Sequence, residues 1–204
     1  MKKIFGITIL FILIPYLIVN IITTKVNISF KHNENKEINV RVKRLASNKI
    51  EKIPFEKYIE GVLASEVPVS FEMEALKAQA VAARSYALKK MENSKTDEYD
   101  LVYSVSNQVY LNEEELKNKW QDNYEKYYEK IKTAVNETKG EYLEYNGEVI
   151  NAFFCSTSVG KTENCEEVFQ ENLPYLKSVD SSWDKDNSPV FNDNVEMSLN
   201  EFYD

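Results

Sequence analysis

Residues 61–88 read GVLASEVPVSFEMEALKAQAVAARSYAL. Pro68 divides this stretch into two helices. On its N-terminal side, Ile53 to Val67 has helical spacing, with Pro54 placed to start the helix and Pro68 to stop it. On its C-terminal side, residues 71–92 form a second helix. Ser70 is a suitable N-cap, and Glu72 and Glu74 fall in the first turn, where the helix dipole favours acids. Six alanines between 75 and 87 make this second helix small and apolar around most of its surface. Such a helix packs closely on several neighbours. Gln79 and Arg84 are then polar groups that need partners.

Outward from these helices the pattern alternates between strand and helix signals. VNISF at 26–30 and INVRVKRL at 38–45 alternate like strands, and LVYSVSNQVYL at 101–111 reads as extended. Residues 113–139 read as one long amphipathic helix, with Leu116, Trp120, Tyr124, Tyr127, Ile131 and Ala134 on one stripe and Gly140 as its C-cap. In EYLEYNGEVINAFF, Asn146-Gly147 sits between two alternating runs, a strong hairpin signal. The expected class is α+β, with mixed helices and antiparallel strands preceded by an N-terminal transmembrane helix.

That helix is expected from IFGITILFILIPYLIVNII at 4–22, about the length that spans a bilayer. No small-residue cleavage site follows, so an uncleaved anchor is favoured over a signal peptide. Lys2 and Lys3 should stay cytoplasmic, which places the remainder outside the cytoplasm. The expected organisation is an anchor at 1–25 and one soluble domain at 26–204.

Composition excludes several function classes. The chain has 204 residues, a net charge of −8, one histidine, two cysteines and five glycines. A single imidazole, His32, leaves little room for a Ser-His-Asp triad or a histidine-rich zinc site. Five scattered glycines supply no G-x-G-x-x-G loop. A pI near 5.0 argues against nucleic-acid binding. Gly160-Lys161-Thr162 imitates the end of a phosphate loop, but Cys155 stands where that motif needs glycine.

The chemical clue is a carboxylate. Phe55, Tyr58, Ile59 and Val62 share one helix face, and Glu66 falls in the middle of that stripe. Glu60 points well away from it. Glu66 is thus expected to face the interior or a cleft at a helix C-terminus. Burial and the negative helix end should both favour its protonated form, which general-acid catalysis needs. The competing reading is a frayed helix end with Glu66 solvated, or paired with Arg84. The loop CSTSVGKTENC at 155–165 is rich in hydroxyls, which suits polar ligands such as sugars and equally suits a plain surface loop. Cys155 and Cys165 leave three states open: a disulfide, a contribution to a metal site, or two free thiols.

These residues also resemble a known family. GVLASEVPVSFEMEALKAQAVAARSYAL closely resembles the signature of the stage II sporulation protein D family, which includes amidase-enhancer proteins. The likeness continues through NQVY at 107–110, TKGEYLEYNGEVINAFF, STSVGKTENCEEVF and PYLKSVDSSWD, covering residues 38–184 in order. It implies a membrane-anchored lytic transglycosylase of bacterial peptidoglycan, acting on denuded glycan strands in forespore engulfment. The product would end in 1,6-anhydro-N-acetylmuramic acid. The implied partners are the amidase stage II sporulation protein P and the membrane protein stage II sporulation protein M; no cofactor and no metal is implied. The implied location is the cell membrane, with the domain on the mother-cell side of the septum.

The family's catalytic glutamate falls on Glu66. Candidate glycan contacts, by motif position and polarity, are Gln79, Arg84, Tyr86, Gln108, Tyr110, Ser156, Ser158, Lys161 and Thr162. The sequence departs from the family in three places. Cys155 stands where histidine is common. Val159-Gly160 stands where Gly-Gly is common, and Val159 resists a positive φ. The usual Gly-His-Gly-rich C-terminal segment has no counterpart before Asp204, so a shortened domain is expected.

Overall fold

The computed structural model describes residues 27–30, 38–45, 47–104, 107–189, 191–192 and 196–198. They divide into two compact units, residues 1–153 and 154–204, treated separately below. The expected anchor at 1–25 lies outside the described residues. Among those described, no helix is long and apolar enough to cross a membrane.

Among the described residues, the first unit carries two three-stranded sheets and four α-helices. One sheet has the order β1-β5-β6, with β1 (Asn27–Phe30), β5 (Glu141–Tyr145) and β6 (Glu148–Val149) all antiparallel. The other has the order β3-β2-β4, with β2 (Asn39–Arg44), β3 (Lys49–Pro54) and β4 (Leu101–Tyr103). Here β2 pairs β3 antiparallel but β4 parallel. The mixed α and β class stands and the expected antiparallel strands are present, with one parallel pair, β2 with β4, added to them. A parallel partner needs a long crossover, and the chain between β2 and β4 supplies one through two helices.

Those helices are α1 (Phe55–Glu66) and α2 (Met73–Asn93). Strand β3 occupies residues that sequence spacing had partly assigned to the helix; Pro54 ends the strand and serves as the helix N-cap. Helix α2 starts two residues later than expected, with Glu72 rather than Ser70 at its N-cap. It packs on α1, β4, β5, β6 and the later helix α4 (Tyr124–Glu137), as its alanine-rich surface requires. Leu76, Ala80, Ala83 and Ala87 are fully buried there.

The long helix expected at 113–139 is divided. Helix α3 (Glu113–Trp120) gives way to a 3₁₀ turn at Gln121–Asn123 before α4 begins. Gln121 takes φ 46°, and Asp122 and Asn123 belong to the types that compete with the helical backbone. The apolar stripe survives the break: Leu116, Tyr124, Ile131 and Ala134 are all buried. A capping box fixes the start of α3, Asn112 accepting from the Glu115 N–H while Glu115 accepts from the Asn112 N–H. The hairpin turns at Asn146-Gly147, both with positive φ (54° and 82°), the conformation that such a dipeptide favours. Gly140 also has a positive φ, although Thr138 is the cap of α4.

The core lies where α1, α2 and α4 meet β2 and β4. Val40 and Val42 of β2, Ile59, Val62 and Leu63 of α1, Leu101 of β4 and Ile131 and Val135 of α4 are buried in it.

Among the described residues, the second unit holds two short helices, α5 (Cys165–Phe169) and α6 (Asp184–Asn187). It is organised by backbone pairing: Thr162 N–H donates to Val179 C=O, Ser181 N–H to Gly160 C=O and Cys165 N–H to Leu176 C=O.

Candidate functional site around Glu66

Glu66 is the last residue of α1, and Val67 leaves the helix in an extended conformation at φ −129°. The side chain is half-buried. Its Oε1 accepts the Val109 N–H at 2.9 Å, while Oε2 has no partner among the described residues. One carboxylate oxygen is thus tethered and the other is open.

Several contacts hold this helix end in place. Lys119 Nζ donates to Ala64 C=O at 2.9 Å, bringing a cation to the negative end of the α1 dipole. Lys130 Nζ donates to Val69 C=O at 2.8 Å and Phe71 C=O at 2.6 Å, fixing the loop into α2. Opposite, the segment 107–111 is pressed against α1. Leu111 N–H reaches Gly61 C=O at 3.4 Å. A Cβ at Gly61 would stand 2.4 Å from Leu111 C=O and 2.5 Å from the Tyr110 ring. Only glycine allows that approach.

Gln108 is 1% exposed, and its amide is satisfied inside the protein. Tyr58 Oη donates to Gln108 Oε1 at 3.1 Å, and Gln108 Nε2 donates to Ala83 C=O at 3.2 Å. Tyr58 and Tyr110 stack with ring centroids 5.3 Å apart. Burial, then the neighbouring Tyr86, Glu66 and Tyr110, push the Tyr58 phenol far above its ordinary value, so it stays a donor. Burial likewise pushes Tyr110 up to about 12. The Arg44 guanidinium lies over both Tyr103 and Tyr110, and is itself paired with Glu51 and Glu115.

The remaining residues selected from sequence fall in different places. Gln79 shares a face of α2 with Ala83 and Tyr86, at i, i+4 and i+7. Its Nε2 is buried with no partner, the one such side-chain atom found among the described residues. Tyr86 is 5% exposed, with the half-exposed Phe153 ring 6.1 Å away. Arg84 is 1% exposed and fully engaged. Its Nε and Nη2 donate to the Glu56 carboxylate at 3.2 and 2.8 Å, Nη1 donates to Glu141 C=O at 3.0 Å and Nη2 to Val135 C=O at 3.3 Å. It pairs with Glu56, not Glu66.

Glu60, on the far side of α1 from Glu66, is also buried. It accepts hydrogen bonds from Lys57 and Tyr128. Its partners all lie on α1 and α4, so it belongs to their packing. Sequence spacing placed Glu60 off the stripe but gave no sign that a second helix covers that face.

In the second unit, Ser156 and Lys161 are exposed, and neither side chain has a hydrogen-bond partner among the described residues. Ser158 Oγ contacts Ser181 Oγ and accepts the Gly160 N–H, while Ser158 N–H donates to Asp184 at 2.7 Å. Thr162 Oγ1 accepts the Val179 N–H at 3.0 Å. The turn takes its positive φ at Gly160 (95°), so Val159 is not asked to adopt one. Cys155 and Cys165 are both free thiols, the first exposed and the second buried. Among the described residues, no cluster of three His, Cys, Asp or Glu side chains is placed to hold a metal.

The residues that sequence reading missed at the site are Gly61, Val109 and Arg44. A glycine inside a helix was the available signal for Gly61. Val109 contributes a backbone N–H, which no side-chain pattern reveals.

Fold and site together define an α+β domain with one tethered, half-open carboxylate at a helix end. The SpoIID family, described as stage II sporulation protein, matches residues 43–145, half of the chain, and the chain belongs to that family. Stage II sporulation protein D of Bacillus subtilis (strain 168) is 42% identical over 169 residues, 81% of this chain and 49% of that protein. The protein of the same name from Bacillus amyloliquefaciens matches to the same extent. The amidase enhancer of Bacillus subtilis (strain 168) is 40% identical over 118 residues, 58% of this chain and 14% of that protein. The chain spans about half the length of the two sporulation proteins it matches.

Proposed function

We propose that this protein is a membrane-anchored lytic transglycosylase acting on denuded peptidoglycan strands during sporulation, with Glu66 as its single acid and base. The observation that carries this reading is the asymmetry of the Glu66 carboxyl group. Oε1 is held by the Val109 N–H and Oε2 is free to exchange a proton.

A glycosidase normally needs two carboxyl groups, one as acid and one as base or nucleophile. A lytic transglycosylase replaces the second with the substrate's own C6 hydroxyl. Protonated Glu66 gives its Oε2 proton to the glycosidic oxygen as the C1–O bond breaks, and the bonding pair leaves with that oxygen. The C6 oxygen then bonds to C1, and its proton passes to the ionised Oε2. The 1,6-anhydro ring is closed and Glu66 is restored. The exposed Phe153 ring, with its centroid 6.1 Å from that of Tyr86, offers aromatic surface to a sugar. The anchor at 1–25, engulfment as the setting, and stage II sporulation proteins P and M as partners belong to the same proposal.

Digestion of denuded glycan strands, followed by mass spectrometry, tests it. Wild type should release anhydromuramoyl ends and Glu66→Gln should not. The match to an amidase enhancer favours one second reading, a non-catalytic glycan-binding scaffold that stimulates an amidase. Absence of product from wild type, with amidase stimulation intact in Glu66→Gln, would establish that reading instead.

A further inference from the structure

We propose that Gln108 is a positioning residue, not a sugar contact, and that it acts on Glu66 through the Val109 N–H. The role in catalysis rests on the transglycosylase reading above; the tether itself does not.

Gln108 has little surface to offer a ligand, being 1% exposed. Both ends of its amide are spent on the protein, Oε1 on the Tyr58 hydroxyl of α1 and Nε2 on the Ala83 carbonyl of α2. The side chain is therefore a bolt between the two helices that flank Glu66. The next residue, Val109, presents its N–H to Glu66 Oε1 at 2.9 Å. Two further contacts hold the same segment. Tyr110 stacks on the Tyr58 ring and carries the Arg44 guanidinium over its own ring, and Leu111 N–H reaches Gly61 C=O.

The consequence is an assignment of the two oxygens. An oxygen that accepts a backbone N–H keeps its lone pair directed at that donor, so the mobile proton belongs on Oε2. After proton delivery the same N–H stabilises the new anion, as an oriented dipole does without reorganising. Gln108 fixes where that dipole stands.

The test uses the full chain in detergent, with ¹⁵N-valine labelling and the Val109 amide assigned by its loss in Val109→Leu. In wild type, the Val109 amide shift should follow the ionisation of Glu66, and Glu66→Gln should abolish that titration. In Gln108→Leu the titration should disappear, and kcat on denuded strands should fall up to about 100-fold with KM little changed, the scale expected of a misplaced catalytic group. Tyr58→Phe removes only one hydroxyl and should show the same pattern more weakly, which decides the matter if Gln108→Leu does not fold. A raised KM with unchanged kcat and an intact Val109 titration would make Gln108 a sugar contact and overturn the proposal. If wild type forms no anhydro product, the transglycosylase reading fails alone, and the Val109 titration still decides whether the tether exists.

Discussion

Two side chains show how much one position can reveal in sequence. Glu66 was legible because a carboxylate on an apolar stripe breaks the pattern, and the helical period then states which way it points. Gln108 was legible as a polar residue of interest but not as a buried one. Its burial depends on α1 and α2 meeting across residues separated widely along the chain. Arg84 was read as a polar group in need of partners, and it has them in Glu56, Val135 and Glu141. Gly61 offers the sharpest test at this scale. Gly61→Ala puts a methyl group into the Leu111 carbonyl and the Tyr110 ring. Overpacking of this kind costs about 1–3 kcal/mol, and here it also pushes the Val109 N–H away from Glu66. Thermal melting should show a lowered Tm, and activity should fall by more than the loss of folded protein explains. An unchanged melt would mean that 107–111 is not pressed against α1.

Among the elements, the hairpin and the two helices around Pro68 were readable because their signals are local: Asn-Gly for the turn, prolines for the helix limits, alanines for the packed helix. The break at 121–123 was not, because the stripe from Leu116 to Ala134 keeps its period straight through it. Nor was the parallel pairing of β2 with β4, which is a property of the whole path between them. That pairing is stapled by Arg41 of β2. Its N–H donates to Asp100 Oδ2 at 2.7 Å, and its guanidinium pairs with Asp100 Oδ1 at 2.6 Å while reaching the carbonyls of Ser94 and Asp97. Burial alone would push the Asp100 carboxyl up, but the Arg41 side chain, the Arg41 N–H and the Ser94 hydroxyl together hold it below its usual range. A lowered folded-state value stabilises the fold above the ordinary aspartate pKa of about 3.9, and that contribution is lost as pH falls through the lowered value. Denaturant titrations should therefore show wild type losing stability as pH falls below about 4, where the unfolded chain takes up this proton before folded Asp100 does. Asp100→Asn should be less stable at neutral pH and flatter across that acid window. Equal slopes for the two proteins would remove Asp100 from the account.

At the scale of the molecule, the first unit carries a packed core and the Glu66 site, while the second is a loop-rich unit held by backbone pairing and hydroxyl contacts. The expected hydroxyl-rich loop is there, and the structure adds that Ser158 and Thr162 spend their hydroxyls internally whereas Ser156 and Lys161 remain exposed. Family membership was legible in sequence because the motifs run in order across both units. At the candidate site only the Glu66 side chain was legible, since its tether is a backbone N–H from a distant segment. The account as a whole stands on Glu66 working as the lone acid and base of the site. Mass spectrometry of denuded glycan strands after incubation with wild type and Glu66→Gln tests that most directly. The account predicts 1,6-anhydromuramoyl ends from wild type and none from the variant. Equal amounts of anhydro product from both, or hydrolysed reducing ends in its place, would contradict it.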